Sequence, residues 1–232
     1  MIMISAGSRG PFVRLMQSLL NRAGASPQLQ VDGDWGLRTD SAFQRAVGAS
    51  SVNGLQTNDA IWRNLGLTTI VDHPVDLFGQ PTNMTCWSAS MTMLRGTNLS
   101  AGSGTARLGA LGGLLPDDAN VAAFARAHGK QVVSSHQSLP VPSLISILRR
   151  GPAIICGWGR DVRQPDGSLS PSFGHASVLS GIWSTNDPDG LTTMFRVHDP
   201  WPPNRGAIWF DFYRDRPGRP VGYARFGDVF IQ

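Results

Sequence analysis

The sequence predicts an α+β protein with a small three-helix N-terminal domain and a larger domain built around an antiparallel sheet. Two observations lead to this prediction. Apolar residues recur at helical spacing through the first part of the chain. Farther along, helical patterns come first, and short apolar runs separated by turn residues follow them. We place the domains at residues 1–68 and 76–232, with a linker at 69–75.

The N-terminal helices are predicted from their apolar stripes. Residues 11–23 carry apolar side chains at positions i, i+3, i+4, i+7 and i+8, and residues 39–47 and 59–65 repeat the pattern over shorter lengths. Between the first two helices lies the loop 31–36, Val-Asp-Gly-Asp-Trp-Gly. A turn is predicted at Asn53-Gly54.

This region resembles the three-helix family of peptidoglycan-binding domains. The matching motifs fall in the family's order: Gly10, Val13, Met16-Gln17, Leu20, the loop 31–36, Thr39, Ala42-Phe43-Gln44, Asn53-Gly54, Ile61-Trp62 and Leu65. The resemblance implies that residues 1–68 bind peptidoglycan, with Trp35 as a candidate contact. The alternative is a packing module that binds no glycan, in which Trp35, Phe43 and Trp62 are core residues.

The second domain is predicted to begin with a helix that Cys86 opens and that ends near Gly96. Further helices are predicted at 116–129 and 141–150. Strands are then predicted at 153–158, 176–183, 192–198, 207–212 and 222–231. Helices followed by strands favour an antiparallel sheet over a parallel one.

Four residues of this domain predict a cysteine-nucleophile hydrolase. Gln80 precedes Cys86 by six residues, and His175 and Asp199 follow far downstream. A helix N-terminus and an imidazolium both lower the pKa of a thiol, which must ionise to attack. A third polar group, here Asp199, orients the imidazole. The Gln80 amide and the Cys86 backbone N–H are suited to bind the oxyanion of the reaction.

The same motifs resemble those of papain-like cysteine peptidases, in particular the bacterial branch of effector peptidases and bacteriocin-processing peptidases. They are Gln80 with 86–90 (Cys-Trp-Ser-Ala-Ser), 151–155 (Gly-Pro-Ala-Ile-Ile), 174–181 (Gly-His-Ala-Ser-Val-Leu-Ser-Gly) and 197–200 (Val-His-Asp-Pro). The resemblance implies a papain-like domain with an N-terminal catalytic helix. It also implies Cys86 as nucleophile, His175 as general base and acid, Asp199 as orienting acid and Gln80 as oxyanion donor. We also predict substrate contacts at Trp87, Gly174 and Trp201.

Other residues compete for these roles. Asp187 and Asp189 are alternatives to Asp199, but they lie in a run typical of a hairpin loop. The remaining histidines fit a catalytic role poorly. His73 falls in the predicted linker, His128 at a helix end and His136 in a polar stretch. His198 is next to Asp199, but alternation along a strand would point it to the opposite face.

Metal and cofactor chemistry is not predicted. The chain lacks His-x3-His and Cys-x2-Cys spacings, so we expect no metal ion and no cofactor. Cys156 lies in an apolar run and is predicted to be a buried thiol. A disulfide with Cys86 is possible on parity alone, but it would silence the nucleophile.

Composition restricts partners and location. Net charge is +4, and the basic residues are almost all scattered arginines. They indicate either a solvated basic surface or attraction to a polyanion such as cell-wall glycan. We expect no nucleic-acid partner, because no such motif is present, and no membrane span, because no apolar run is long enough. The start of the chain is too short and polar for a signal peptide. We therefore expect non-classical or contact-dependent export to the periplasm or cell wall, with the cytoplasm as the alternative.

These observations lead to one hypothesis and two rivals. The hypothesis is a hydrolase that cleaves amide bonds in peptidoglycan stem or cross-link peptides. One form of this hypothesis is a secreted antibacterial effector of type VI secretion. Such an effector would have a cognate immunity or inhibitor protein. The first rival is a protease acting on a protein in a target cell. The second is a non-catalytic wall-binding protein.

Overall fold

The computed structural model describes residues 2–48, 57–115, 117–135, 139–157, 161–163, 169–171, 174–188, 190–213 and 229–232. These residues form an α+β fold with an antiparallel sheet. The helices are α1 (Pro11–Arg22), α2 (Leu37–Val47), α3 (Asp59–Asn64), α4 (Cys86–Arg95), α5 (Asp118–Ala127) and α6 (Val141–Leu148). The strands are β1 (Thr69–Asp72), β2 (Val132–Ser135), β3 (Ala153–Gly157), β4 (Asp161–Arg163), β5 (Leu169–Pro171), β6 (His175–Ser184), β7 (Thr193–Asp199), β8 (Ala207–Phe212) and β9 (Val229–Ile231).

The N-terminal helices have local signals at their ends. Pro11 occupies the first turn of α1, where its missing N–H removes no helical hydrogen bond. Gly48 ends α2 in the left-handed conformation, with φ of 69°. The side chain of Asn58 accepts a hydrogen bond from the Ile61 N–H at 3.0 Å and caps α3. The predicted turn at Asn53-Gly54 lies outside the described residues.

The sheet has the strand order β2-β9-β3-β6-β7-β8, with β1 also paired to β6, and every pairing is antiparallel. The pairing with β3 uses the first half of β6, His175 to Leu179, and the pairing with β1 uses the second half, Gly181 to Ser184. The strands β1 and β3 therefore lie end to end along one edge of β6. A separate ribbon pairs β4 with β5.

The segment 69–75, predicted as a linker, contains the strand β1. Its residues Thr69 to Asp72 pair with Ser184 to Gly181. An ion pair of 2.6 Å between Arg196 and Asp72 holds the end of this strand, and Arg196 also donates to the carbonyl oxygen of His73. The segment is therefore part of the sheet rather than a free connection.

The N-terminal helices and the sheet share one apolar core. Trp183, Met194 and Phe212 of the sheet are buried in the same cluster as Phe43 and Trp62 of the helices. Two further clusters lie under the other helices. The helix α6 packs on residues such as Ile155 and Leu179, whereas α4 and α5 pack on residues such as Ile154 and Val178. Alternate residues of β3 thus face different helices, as the pleat of a strand requires.

Candidate active site

Cys86 is the first residue of α4, and its side chain is buried. The chain enters the helix through a turn in which the Thr85 hydroxyl accepts the Thr82 N–H at 3.0 Å and donates to the Thr82 carbonyl oxygen at 3.1 Å. Residues Cys86 to Leu94 are all buried, and small side chains at 88–90 allow this close packing. The sulfur therefore lies at a helix N-terminus, the end at which backbone N–H groups have no partner within the helix.

His175 and Asp199 form the central pair of the site. His175 begins β6 and Asp199 ends β7, and antiparallel pairing brings these two strand ends to the same edge. His175 Nε2 donates to Asp199 Oδ1 at 2.6 Å. Because this bond occupies Nε2, the other ring nitrogen, Nδ1, is left to face the thiol.

The environment of His175 favours its charged form. Burial acts to lower the pKa of its imidazole, but the hydrogen bond to Asp199, the hydrogen bond to Cys86 and the charges of both partners outweigh burial and raise the pKa to about 10. Cys86 is thus near the imidazole assigned to it from the sequence, close enough for its charge to act on the pKa of that imidazole.

Asp199 is held as a carboxylate by several donors. Burial acts to raise the pKa of its carboxyl group, but the hydrogen bond and charge of His175 lower it. The backbone N–H of Trp201 donates to Oδ1 at 2.9 Å, and the side chain of Trp209 lowers the pKa further by a hydrogen bond. The sequence analysis did not assign a role to Trp209, because its contact depends on the pairing of β7 with β8.

Gln80 is fixed beside the segment that follows Asp199. Its N–H donates to the Pro200 carbonyl oxygen at 2.9 Å, and its own carbonyl oxygen accepts the Asn204 N–H at 2.8 Å. The side chain is 1% exposed, and Nε2 donates to the Thr82 carbonyl oxygen at 2.6 Å. Among the described residues, Oε1 of Gln80 has no hydrogen-bond partner. Nε2 carries two N–H groups, and the bond to Thr82 uses one of them. The second N–H is available to bind an oxyanion.

Two glycines allow this close approach of the chain. A Cβ atom on Gly79 would lie 2.4 Å from the backbone nitrogen of Arg205. Gly206 has φ of 62°, and a Cβ atom there would lie 2.9 Å from the Asp199 carbonyl oxygen. The segment that carries Gln80 is therefore packed backbone to backbone against the segment that carries Asp199.

The candidate substrate contacts differ in accessibility. Trp201 is 48% exposed and directly follows the Asp199-Pro200 pair. Gly174 is exposed and precedes His175. Trp87 is buried, and its indole N–H donates to the Gly112 carbonyl oxygen at 3.1 Å. Trp201 and Gly174 are therefore accessible from solvent beside the His175–Asp199 pair, whereas Trp87 is packed in the interior.

Trp35 does not have the exposed ring that a glycan contact requires. It is 5% exposed, packs edge-on against Phe43 and donates its indole N–H to Asp40 at 3.1 Å. The prediction that Trp35 contacts ligand stays a prediction, and the burial of the ring favours the alternative of a packing role. The ring is a core residue of the N-terminal helices, as the alternative interpretation of this region has it.

The competing residues lie elsewhere. Asp187 forms an ion pair with Arg22 at the opposite end of β6 from His175. His128 Nε2 contacts the Gly102 carbonyl oxygen at 2.7 Å, and His73 Nε2 contacts that of Leu148. Asp189 and His136 are outside the described residues.

His198 is buried, and its imidazole hydrogen-bonds to a residue outside the candidate site. Its Nδ1 lies 3.0 Å from the Ser180 hydroxyl. Burial, together with the charge of Arg196, lowers the pKa of its imidazole to about 4, against a hydrogen bond to Val75 and the charge of Asp76. Although it precedes Asp199 in the chain, His198 is a neutral residue that ties the segment after β1 to the sheet.

Cys86 and Cys156 are both free thiols. Cys156 lies on β3 opposite Ala176, and burial and the charge of Cys86 raise the pKa of its thiol to about 12. A thiol with such a pKa is a poor nucleophile at neutral pH.

The described part of the chain has no cluster of three or more metal-ligating side chains, and no described helix is long and apolar enough to cross a membrane.

Comparison of the chain with protein-family models, with curated proteins and with solved structures finds no match.

Proposed function

We propose that this protein is a papain-like cysteine hydrolase that cleaves amide bonds in peptidoglycan stem or cross-link peptides. The observation that carries the proposal is the linkage of Asp199 to His175 at 2.6 Å, with Cys86 at the start of a helix and near enough to the same imidazole to raise its pKa. This arrangement has a nucleophile, a base and a group that orients the base.

The reaction follows from the positions of the charges. The Cys86 thiolate attacks the amide carbonyl carbon, and the resulting oxyanion accepts hydrogen bonds from the Cys86 backbone N–H and the Gln80 amide. The His175 imidazolium donates its proton to the leaving amine as the C–N bond breaks, which leaves an acyl-enzyme. Neutral His175 then removes a proton from water, and the hydroxide releases the acyl group as a carboxylate. Asp199 stabilises the imidazolium that forms again in this step.

The choice of substrate rests on the N-terminal helices. Their motifs resemble those of peptidoglycan-binding domains, and they pack at the Trp183 end of β6. Trp183 is eight residues along the strand from His175, a separation of roughly 25 Å at ~3.3 Å per residue. In this proposal the helices hold the enzyme on the polymer from the end of β6 opposite the catalytic pair.

Digestion of purified cell walls tests the proposal. We expect the wild-type protein to release peptides with new amine and carboxyl ends, which mass spectrometry detects. Cys86→Ala lowers the rate by roughly 1,000-fold or more, because the nucleophile is lost. The matched control is Cys156→Ala, which removes the other thiol and retains activity. Equal digestion by wild type and Cys86→Ala would contradict the mechanism, whereas cleavage of casein but not of walls would favour a protein substrate.

A further inference from the structure

Ser90 connects the helix of the candidate nucleophile with the strand of the candidate base. Its side chain is fully buried, and Oγ donates to the Ala176 carbonyl oxygen at 2.9 Å. Ala176 is the residue after His175, the first residue of β6. The bond therefore reaches the strand one residue from the imidazole.

The helical period places Ser90 on the same face of α4 as Cys86. Residues four apart in a helix are neighbours on its surface, so Ser90 lies one turn after the thiol. The Ser90–Ala176 bond thus joins the two chain segments at points within one turn of Cys86 and one residue of His175.

The start of β6 is paired along its backbone on one side only. Ala176 pairs with Cys156 of β3 on one side. On the other side, the register of β6 with β7 begins two residues later, at Val178 and His198. A hydrogen bond from α4 therefore adds a restraint to a segment that β7 holds through the His175–Asp199 side-chain bond and not through backbone pairing.

We propose that Ser90 is a positioning residue, whose hydroxyl sets the spacing between the Cys86 sulfur and the His175 ring. This role rests on the proposed function, since it matters only if the two side chains react as a pair. The reaction requires atoms within hydrogen-bonding reach, and small displacements of a catalytic pair cost rate steeply. Without the hydroxyl, α4 and β6 remain in apolar contact but lose the polar bond that fixes their separation.

Two other buried hydroxyls on α4 show what a purely structural bond looks like. Ser88 Oγ donates to the Ala101 carbonyl oxygen at 2.5 Å, and Thr92 Oγ1 donates to that of Ser88 at 2.8 Å. Both bonds hold the helix or the segment after it, and neither reaches β6. Ser88 is therefore a matched control for Ser90, being a buried serine on the same helix that bonds to a carbonyl oxygen away from His175.

The test measures the reactivity of Cys86 and needs no substrate. Full-length wild type, Ser90→Ala and Ser88→Ala are alkylated with iodoacetamide from pH 5 to 9, and peptide mapping by mass spectrometry separates Cys86 from Cys156. In wild type, Cys86 should be alkylated faster than Cys156 across this range, because the pKa of the Cys156 thiol is raised to about 12. In Ser90→Ala we expect the rate at pH 6 to fall by about five- to ten-fold, as expected for loss of one buried hydrogen bond. Ser88→Ala keeps the wild-type pH profile, although its thermal midpoint falls as well.

A second pair of variants isolates the hydroxyl if Ser90→Ala does not fold. Ser90→Thr and Ser90→Val have the same shape and differ by one hydroxyl group, so both overpack the site equally. We expect Thr to react faster than Val at pH 6. Equal profiles for Thr and Val, or for Ser90→Ala and wild type, overturn the positioning role. Failure of the wild-type protein to digest cell walls instead counts against the proposed function and leaves this comparison intact.

Discussion

The pKa values of two histidines on neighbouring strands are shifted in opposite directions. The carboxylate and thiol partners of His175 raise the pKa of its imidazole to about 10 in spite of burial. Burial lowers the pKa of His198 to about 4, and the adjacent Arg196 charge adds to this effect. The same side chain is therefore an imidazolium at one position and a neutral hydrogen-bonding group at the other. Sequence identifies both histidines, but only the partners decide which one is suited to catalysis.

The Asp199 carboxylate is predicted to extend the pH range over which His175 is charged. The pKa of His175 is raised above its ordinary value of 6.5, so the stabilisation from its charged form is present below pH 6.5 and is lost as pH rises through about 10. In Asp199→Asn we expect His175 to titrate at lower pH, because the amide carries no charge. Titration followed by NMR of the imidazole measures this shift. Asp187→Asn, which removes a carboxylate at the far end of β6, is the control and should leave His175 unchanged. An unaltered His175 titration in Asp199→Asn would contradict the assignment.

At the scale of elements, the long helices and the buried strands follow from local pattern. The stripe of α1 and the caps of α2 and α3 specify helices with few long-range contacts. Short elements are different. The segment of β1 is a four-residue run that the sequence analysis places in a linker, and it is a strand because β6 offers an unpaired edge. Isolated runs of this length have no preference strong enough to decide between strand and loop.

The contact between the Gln80 segment and the loop after Asp199 is predicted to be intolerant of a single methyl group. In Gly79→Ala the new Cβ would lie 2.4 Å from the Arg205 nitrogen, so the two segments must separate. We expect a loss of about 1–3 kcal/mol in the free energy of unfolding, and slower alkylation of Cys86. Chemical denaturation and iodoacetamide kinetics measure the two effects. Gly102→Ala is the control, since its Cβ would have nothing within 4 Å. Equal stability of the two variants would show that the segment at Arg205 moves aside at little cost, which would contradict the prediction.

At the scale of the whole molecule, the N-terminal helices are integrated with the sheet. Phe12 of α1 packs edge-on against Trp183 and Phe210, with ring centroids 5.3 Å and 4.9 Å apart. Arg14 lies over the ring of Phe212, 4.8 Å from its centroid. Interfaces between independent domains are smaller and more polar than a shared apolar core. The helices therefore have a structural role whether or not they bind cell wall.

A shared core predicts a single unfolding transition. Calorimetry of the full-length protein should show one cooperative step, with the N-terminal helices and the sheet melting together. Phe12→Ala removes the ring that joins them and should lower the midpoint of that step, with a loss of about 2–4 kcal/mol in the free energy of unfolding. The control is Leu37→Ala at a side chain that is 87% exposed. Two separate transitions, with only the smaller one affected by Phe12→Ala, would show that the helices fold on their own.

Local sequence pattern is enough to predict the principal helices and strands and to single out the side chains of the candidate site. Helical stripes, caps and apolar runs act over a few residues, and the chemistry of a thiol, an imidazole and a carboxylate is a property of the side chains. The tertiary structure decided how these groups pair. It bonds Asp199 rather than Asp187 to His175, it buries Trp35 and His198, and it converts part of the predicted linker into β1. These outcomes depend on strand register and on contacts between residues far apart in the chain, which local patterns do not encode.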